Sequence, residues 1–159
     1  MKAALKEIKP GYGLGVLKFG MSRAEVKLIL GEPTSIDKYS YTNSLTELTE
    51  SWEYTELSLS LSFDEDEDWK LMMFSVTNNF YEFENLALIG LSEEKVTQSL
   101  AQLKFEDLYL EDFSEQDDED QKMLEIEDKS LNFWFVDGAL DEIQWSPLFI
   151  DDDTIDWPS

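Results

Sequence analysis

Residues 20–26, Gly-Met-Ser-Arg-Ala-Glu-Val, and residues 90–96, Gly-Leu-Ser-Glu-Glu-Lys-Val, decide how the rest of the chain is read. In the first stretch Ser22 stands as a helix N-cap. Glu25, three residues on, completes a capping box in which each position satisfies a free backbone group of the other. Val26, Ile29 and Leu30 then share one face at helical spacing, Gly31 offers a left-handed stop, and Pro33 forbids continuation. The scheme returns 70 residues later, where Gly90, Ser92, Val96 and Leu100 match Gly20, Ser22, Val26 and Leu30, and Leu103 extends the stripe. The second copy departs at Lys95, which replaces the capping glutamate, and it has no Gly-x-Pro stop. Recurrence at a fixed spacing is the mark of a duplicated unit.

Strand signals follow each helix. Trp52 and Tyr54 alternate with polar residues; Leu57, Leu59, Leu61 and Phe63 then alternate with Ser58, Ser60 and Ser62, a period that only a sheet with one buried face explains. The acids at 64–68 turn the chain into a third apolar run, Trp69 to Val76. In the second half come residues 122–127, then Leu131, Phe133 and Phe135 alternating with Asn132 and Trp134, then the Asp137-Gly138 hairpin signal and residues 140–145. Each half reads as a helix followed by about three antiparallel strands. The expected fold is α+β, two tandem helix-plus-antiparallel-strand repeats over residues 1–80 and 81–159 that share one sheet as a single unit.

Composition narrows function by exclusion. The chain has 159 residues, with 36 Asp plus Glu against 12 Lys plus Arg, a formal charge of −24, and neither His nor Cys. Leu, Ile, Val and Phe supply 45 residues, enough for a core. Without thiol or imidazole there is no disulfide, no Ser-His-Asp triad and no conventional zinc or copper site. A strongly negative surface repels phosphate backbones, which argues against nucleic acid or anionic lipid as a direct partner. The charge is uneven: residues 1–38 carry a net +3 and residues 81–159 a net −19. No stretch has the length of a bilayer span, and the opening residues, with Lys2, Lys6 and Lys9, lack a signal-peptide apolar core, so a cytoplasmic location is expected.

The segment 15–33 resembles the repeat of the beta-lactamase-inhibitor-protein-like superfamily, shared with the small outer-membrane assembly lipoprotein family. The matching residues are Gly20, Ser22, Glu25, Val26, Leu30, Gly31 and Pro33, followed by Trp52-x-Tyr54 and the alternating strands. With residues 90–103 and 122–145, the similarity covers most of the chain as two copies. The resemblance implies a fold and points toward protein binding across an open sheet face. The chain departs from the family pattern in having no lipidation cysteine and no cysteines for disulfides, which argues against an envelope role or a secreted inhibitor.

Candidate sites are acidic and aromatic. The run Asp64, Glu65, Asp66, Glu67 and Asp68 reads either as a solvated hairpin tip or as a docking surface; as a calcium loop it lacks the fixed glycine turn and ligand spacing. The segment 111–120, with Asp112, Glu115, Asp117, Asp118, Glu119 and Asp120, reads as a solubilising loop or as a patch that steers a basic partner. Asp151, Asp152 and Asp153 near Trp157 admit the same pair of readings, here a disordered terminus before a docking patch. Trp134 lies on the face opposite Phe133 and Phe135, either as an exposed binding anchor or buried under the helices if the faces are reversed; Leu71 and Met73 raise the same question.

Enzymatic readings are weaker. No spacing singles out a carboxylate pair, and Gly11, Gly13 and Gly15 form no phosphate-cradling motif, lacking a preceding strand of any length. The expectation is a non-catalytic, cofactor-free, acidic binding protein, for example an inhibitor or immunity protein that occludes a basic toxin or nuclease domain. The alternative is a general binding or scaffold module whose acids keep an open sheet soluble.

Overall fold

The computed structural model describes residues 3–40, 47–105, 108–112 and 120–158. Helix α1 (Arg23–Leu30) begins with the expected box: the Ser22 hydroxyl accepts from the Glu25 N–H at 3.1 Å, and the Glu25 carboxylate accepts from the Ser22 N–H at 3.1 Å. Gly31 ends it with φ at 83° and its N–H on the Lys27 carbonyl. Helix α2 (Glu93–Gln102) is capped by Ser92, which accepts from the Lys95 N–H at 3.2 Å. Lysine has no acceptor, so this cap is one-sided. With no glycine to end α2, the left-handed position falls to Lys104, at φ 68°. Val26 of α1 and Val96 and Leu100 of α2 are buried, whereas Leu28, on the outer side of α1, is 88% exposed.

Four described strands of the main sheet follow each helix, one more than the sequence suggested. After α1 come β1 (Ser35–Tyr39), β2 (Thr49–Tyr54), β3 (Leu59–Asp64) and β4 (Lys70–Val76). After α2 come β5 (Leu108–Asp112), β6 (Gln121–Ile126), β7 (Leu131–Val136) and β8 (Ala139–Trp145). The fold is therefore mixed α+β, with an eight-stranded sheet in the order β1-β2-β3-β4-β8-β7-β6-β5, every pair antiparallel. The two four-stranded meanders meet last strand to last strand, with Phe74 opposite Trp145, Ser75 opposite Gln144 and Val76 opposite Ile143.

Local geometry recurs at matched places. Leu57, expected to open a strand, belongs instead to the 3₁₀ turn Thr55–Leu57, which ends on left-handed Ser58 at φ 49°. The turn Glu127–Lys129 ends likewise on Ser130 at φ 50°. Register slips after Ser62 between β3 and β4 and after Trp134 between β7 and β8, leaving Met72 and Asp141 without a direct partner. Leu71 exchanges hydrogen bonds with Gly20 and Met21 at 3.0 and 2.9 Å, and Leu140 does so with Gly90 and Leu91 at 2.8 and 2.9 Å.

One face of the sheet carries the core. Leu61, Phe63, Phe74, Trp145, Phe133 and Phe135 are at most 1% exposed there. Burying each such side chain contributes roughly 1.5–3 kcal/mol. The helices cover the flanks, and the centre is closed by a small sheet absent from the sequence reading, ordered Leu17–Lys18, Gly13–Leu14, Glu7–Lys9 and Glu82–Phe83. It sets Phe19 edge-on to Phe74 at 5.0 Å and Phe83 against Phe133 at 6.0 Å, and the Gly13 carbonyl accepts from the Trp145 indole N–H at 3.0 Å. Glycines 13 and 15, preceded after all by a short strand, serve that packing. A Cβ on Gly13 would sit 2.0 Å from the Leu17 carbonyl oxygen, and one on Gly15 1.9 Å from that of Ala4.

A carboxylate is buried on the core side. Glu50 of β2 is 6% exposed and accepts from the Trp52 indole N–H at 2.6 Å and the Arg23 guanidinium at 3.1 Å, with the Lys38 ammonium at 3.5 Å. Such a group is tolerated because it is paired and hydrogen-bonded. Arg23 and Lys38 also lie over the Trp69 ring, at 4.6 and 5.1 Å. Among the described residues, no helix is long and apolar enough to cross a membrane.

Candidate protein-interaction surface

The opposite face of the sheet contributes no described side chain to the hydrophobic core cluster. Phe133 and Phe135 are buried in the core, so strand parity puts Trp134 on this outer face, half-buried. Of the two placements open to Trp134, the structure has the outward one. Leu71 and Phe74 both face the core because the bulge at Met72 breaks the alternation between them, and Met73 is left on the outer face.

Register assembles the surface around Trp134. Glu111, Met123, Trp134 and Glu142 form one row across β5, β6, β7 and β8, spanning three strand spacings or roughly 14 Å. The next row holds Tyr109, Glu125, Asn132 and Gln144, and continues through Ser75, Ser60 and Glu53 to Ser35. A chain of hydrogen bonds fixes the centre: the Trp134 indole N–H donates to Gln144 at 3.0 Å, the Gln144 amide donates to Glu142 at 2.8 Å, and the Ser75 hydroxyl donates to the same oxygen of Glu142. The indole's polar atom is thereby satisfied within the sheet.

The acidic runs do not join this surface into one patch. Since β4 and β8 are antiparallel, the β3–β4 turn lies at one end of the sheet, and the β7–β8 turn, the end of β5 and the start of β6 lie at the other. Asp64 to Asp68 therefore stand diagonally across the sheet from Asp112 and Asp120. The run 64–68 is ordered rather than merely solvated. The Thr49 hydroxyl donates to Asp64 at 3.0 Å, Glu65 accepts from the Leu48 N–H at 3.3 Å, and Asp68 takes φ 56°, while Asp66 and Asp68 are exposed. Burial pushes the Asp64 carboxyl above its usual range, against the Thr49 hydrogen bond, which lowers it, and with the Asp66 charge adding to the rise.

Within the segment 111–120, Glu111 and Asp112 are strand residues, so a loop over the whole segment is incorrect at its start, whereas Asp120 stands outside the strand that begins at Gln121. Glu115, Asp117, Asp118 and Glu119 lie outside the described residues. Asp151, in the tail, accepts backbone hydrogen bonds from Asp153 and Thr154 at 3.0 and 2.9 Å. These bonds hold its carboxyl below the usual range.

Among the described residues, no group of three or more acidic side chains is placed to hold a metal ion. A hollow beside the small sheet contains Lys6, Lys9 and Glu82, but Lys6 pairs with Glu82 at 3.4 Å and Lys9 donates to the Gly15 carbonyl at 3.3 Å. Its cations are thus engaged by the fold itself. Tyr109, Met123, Glu125, Glu142 and Gln144 were missed in the sequence. Parity in β6, β7 and β8 assigns their faces one strand at a time, but only register shows that they are neighbours. Comparison with protein-family models, with curated proteins and with solved structures finds no match.

Proposed function

We propose that this chain is a non-catalytic, acidic protein-binding protein, an inhibitor or immunity protein that neutralises a basic toxin or nuclease domain by occluding it. The observation that carries this reading is the conjunction of a formal charge of −24 with an outer sheet face on which Trp134 stands in line with Glu111 and Glu142. The ion pairs among the described residues all lie elsewhere. Charge of this density accelerates encounter with a cationic partner by roughly 10–10³-fold. Affinity then comes from the aromatic anchor, and specificity from carboxylates matched to lysine and arginine.

The same proposal includes a tandem beta-lactamase-inhibitor-protein-like arrangement and action in the cytoplasm. The matched left-handed serines 58 and 130, the matched register slips and the paired hydrogen bonds at Leu71 and Leu140 support the tandem arrangement. The test is affinity capture on the intact chain at low salt, followed by calorimetry of the purified pair across a salt series. The expected result is a basic protein whose affinity falls steeply with salt and whose activity is lost at one equivalent. A captured partner that is neutral or acidic, or that stays active when saturated, contradicts the proposal.

A further inference from the structure

The outer face changes height at its middle. Tyr109, Met123 and Trp134 in the second meander occupy the positions that Ser35, Ser51 and Ser62 occupy in the first. Tyr109 is 60% exposed, whereas Ser62 is only 4% exposed although it faces outward. A row of large side chains therefore borders a shelf lined by Ser35, Ser51, Ser60 and Ser62, with Met73 of β4 beside Ser62, and the step runs along β4 and β8, where Ser75 faces Gln144. Carboxylates stand on both levels: Glu53 on the shelf, accepting from Ser60, and Glu142 at the step, accepting from Ser75. The strands of the second meander place no lysine or arginine on this side, since Lys122 lies on the core side and pairs with Glu93 at 3.4 Å.

Resting on the acidic-binder reading, we propose that this step is the docking site and that its occupant is a protruding cationic segment of the partner protein. The segment lies on the serine shelf beside Glu53 and sets arginine side chains against the Trp134 ring and Glu142. Three features select that occupant. A second copy of this chain brings a further −24 and is repelled. Nucleic acid and anionic lipid carry the same sign. A guanidinium gains from both an indole face and a carboxylate, which a neutral segment does not. The acidic turn 64–68, at one end of the sheet, contributes only to long-range attraction.

The test titrates an oligoarginine peptide of nine residues into the intact chain and follows the indole N–H signals of its five tryptophans by NMR. The Trp134 signal is identified by its loss in W134F. The expected result is a saturable shift of the Trp134 signal, with those of buried Trp52 and Trp145 unmoved. E142Q and S51R should each weaken binding roughly tenfold, whereas D66N/D68N should change it by less than about twofold because two rim charges act mainly on encounter. Thermal melting of each variant separates lost binding from lost folding. Binding that leaves Trp134 unmoved and is removed by D66N/D68N overturns this docking site while sparing the acidic-binder reading. Absence of binding at low salt overturns both.

Discussion

Glu50 of β2 and Lys122 of β6 hold equivalent places in the two meanders and carry opposite charge. Glu50 pairs with Arg23, the first residue of α1, at 3.1 Å; Lys122 pairs with Glu93, the first residue of α2, at 3.4 Å. The neighbouring strand repeats the inversion, with Lys38 opposite Glu50 and Asp112 opposite Lys122. The Lys122 ammonium is held above its usual range by the hydrogen bond to Glu93 first, then by that group's charge and those of Asp120 and Asp112. One contact, from helix start to sheet, is thus built with two cations around an anion in the first half and two anions around a cation in the second. The inversion accounts for part of the charge asymmetry, a net +3 over residues 1–38 against −19 over residues 81–159, without changing the contact itself.

Equivalence of place does not mean equivalence of strength. The Glu50 side chain is 8% exposed and also accepts from the Trp52 indole, whereas Lys122 and Glu93 are 28% and 30% exposed. Replacing Glu50 by Gln should cost about 2 kcal/mol, because charge-assisted bonds to a buried group are lost. Lys122→Ala should cost clearly less, because its pair is screened by solvent. Urea unfolding of the two variants checks the order; equal losses would contradict it.

Phe133 and Trp134 are sequence neighbours on opposite faces, so their truncations should diverge. Phe133→Ala opens a cavity under Phe83 and should cost about 3–5 kcal/mol. Trp134→Ala, larger by side-chain volume, should cost about 1 kcal/mol, since it removes half-buried surface and one hydrogen bond to Gln144. The comparison, by chemical denaturation, reads the face assignment directly.

Alkali should unfold the protein through two phenols. Burial pushes both Tyr54 and Tyr81 up to about 12, with the Glu32 charge adding to the rise at Tyr54. Tyr54 donates to the Gly31 carbonyl at 2.9 Å and Tyr81 to that of Leu57. In the unfolded chain both titrate near 10. Each raised value therefore contributes stability that is fully present below about 10 and is lost as pH climbs toward 12. Phenolate absorbance followed alongside circular dichroism should show two late-titrating groups ionising with loss of structure, and Y54F/Y81F should flatten the pH dependence.

The helix caps differ by one reciprocal bond. Ser22→Ala removes a full capping box and should cost about 1 kcal/mol, whereas Ser92→Ala removes a one-sided cap and should cost less. The Glu25 half of the box is held by Ser22, whose backbone and side-chain hydrogen bonds depress the carboxyl. Its contribution is therefore present above the ordinary glutamate range and is lost as pH falls through the lowered value. Thermal melts of the two serine variants at neutral and acid pH should converge at the acid end.

The caps, the turn at Asp137-Gly138 and the alternating cores of β3 and β7 were legible because each is a local pattern with a local cause. The edge strands β1 and β5 were not. All five residues of β1 are exposed, and β5 exposes Tyr109 and Leu110 together, so neither shows the alternation that one buried face imposes. The strands of the small N-terminal sheet are two or three residues long, too short for any period, and one of them pairs with residues 82–83 far along the chain. Trp134 could be placed opposite Phe133 by parity, yet its row with Glu111 and Glu142 depends on register and on a bulge at Asp141 that no local signal announces. Distance along the chain likewise hid the fact that the acids at 64–68 sit at the opposite end of the sheet from Asp112 and Asp120.

Hydroxyl-radical footprinting of the intact chain, alone and in complex with its captured basic partner, tests the outer-face assignment most directly because it reads side chains rather than amides already held in strands. Trp134, Met123 and Tyr109 should become protected together, while Trp157, which packs over Gly20 at the core-side rim, keeps its reactivity. Protection confined to Trp69 and the turn at 64–68, with Trp134 as reactive as in the free protein, would contradict it.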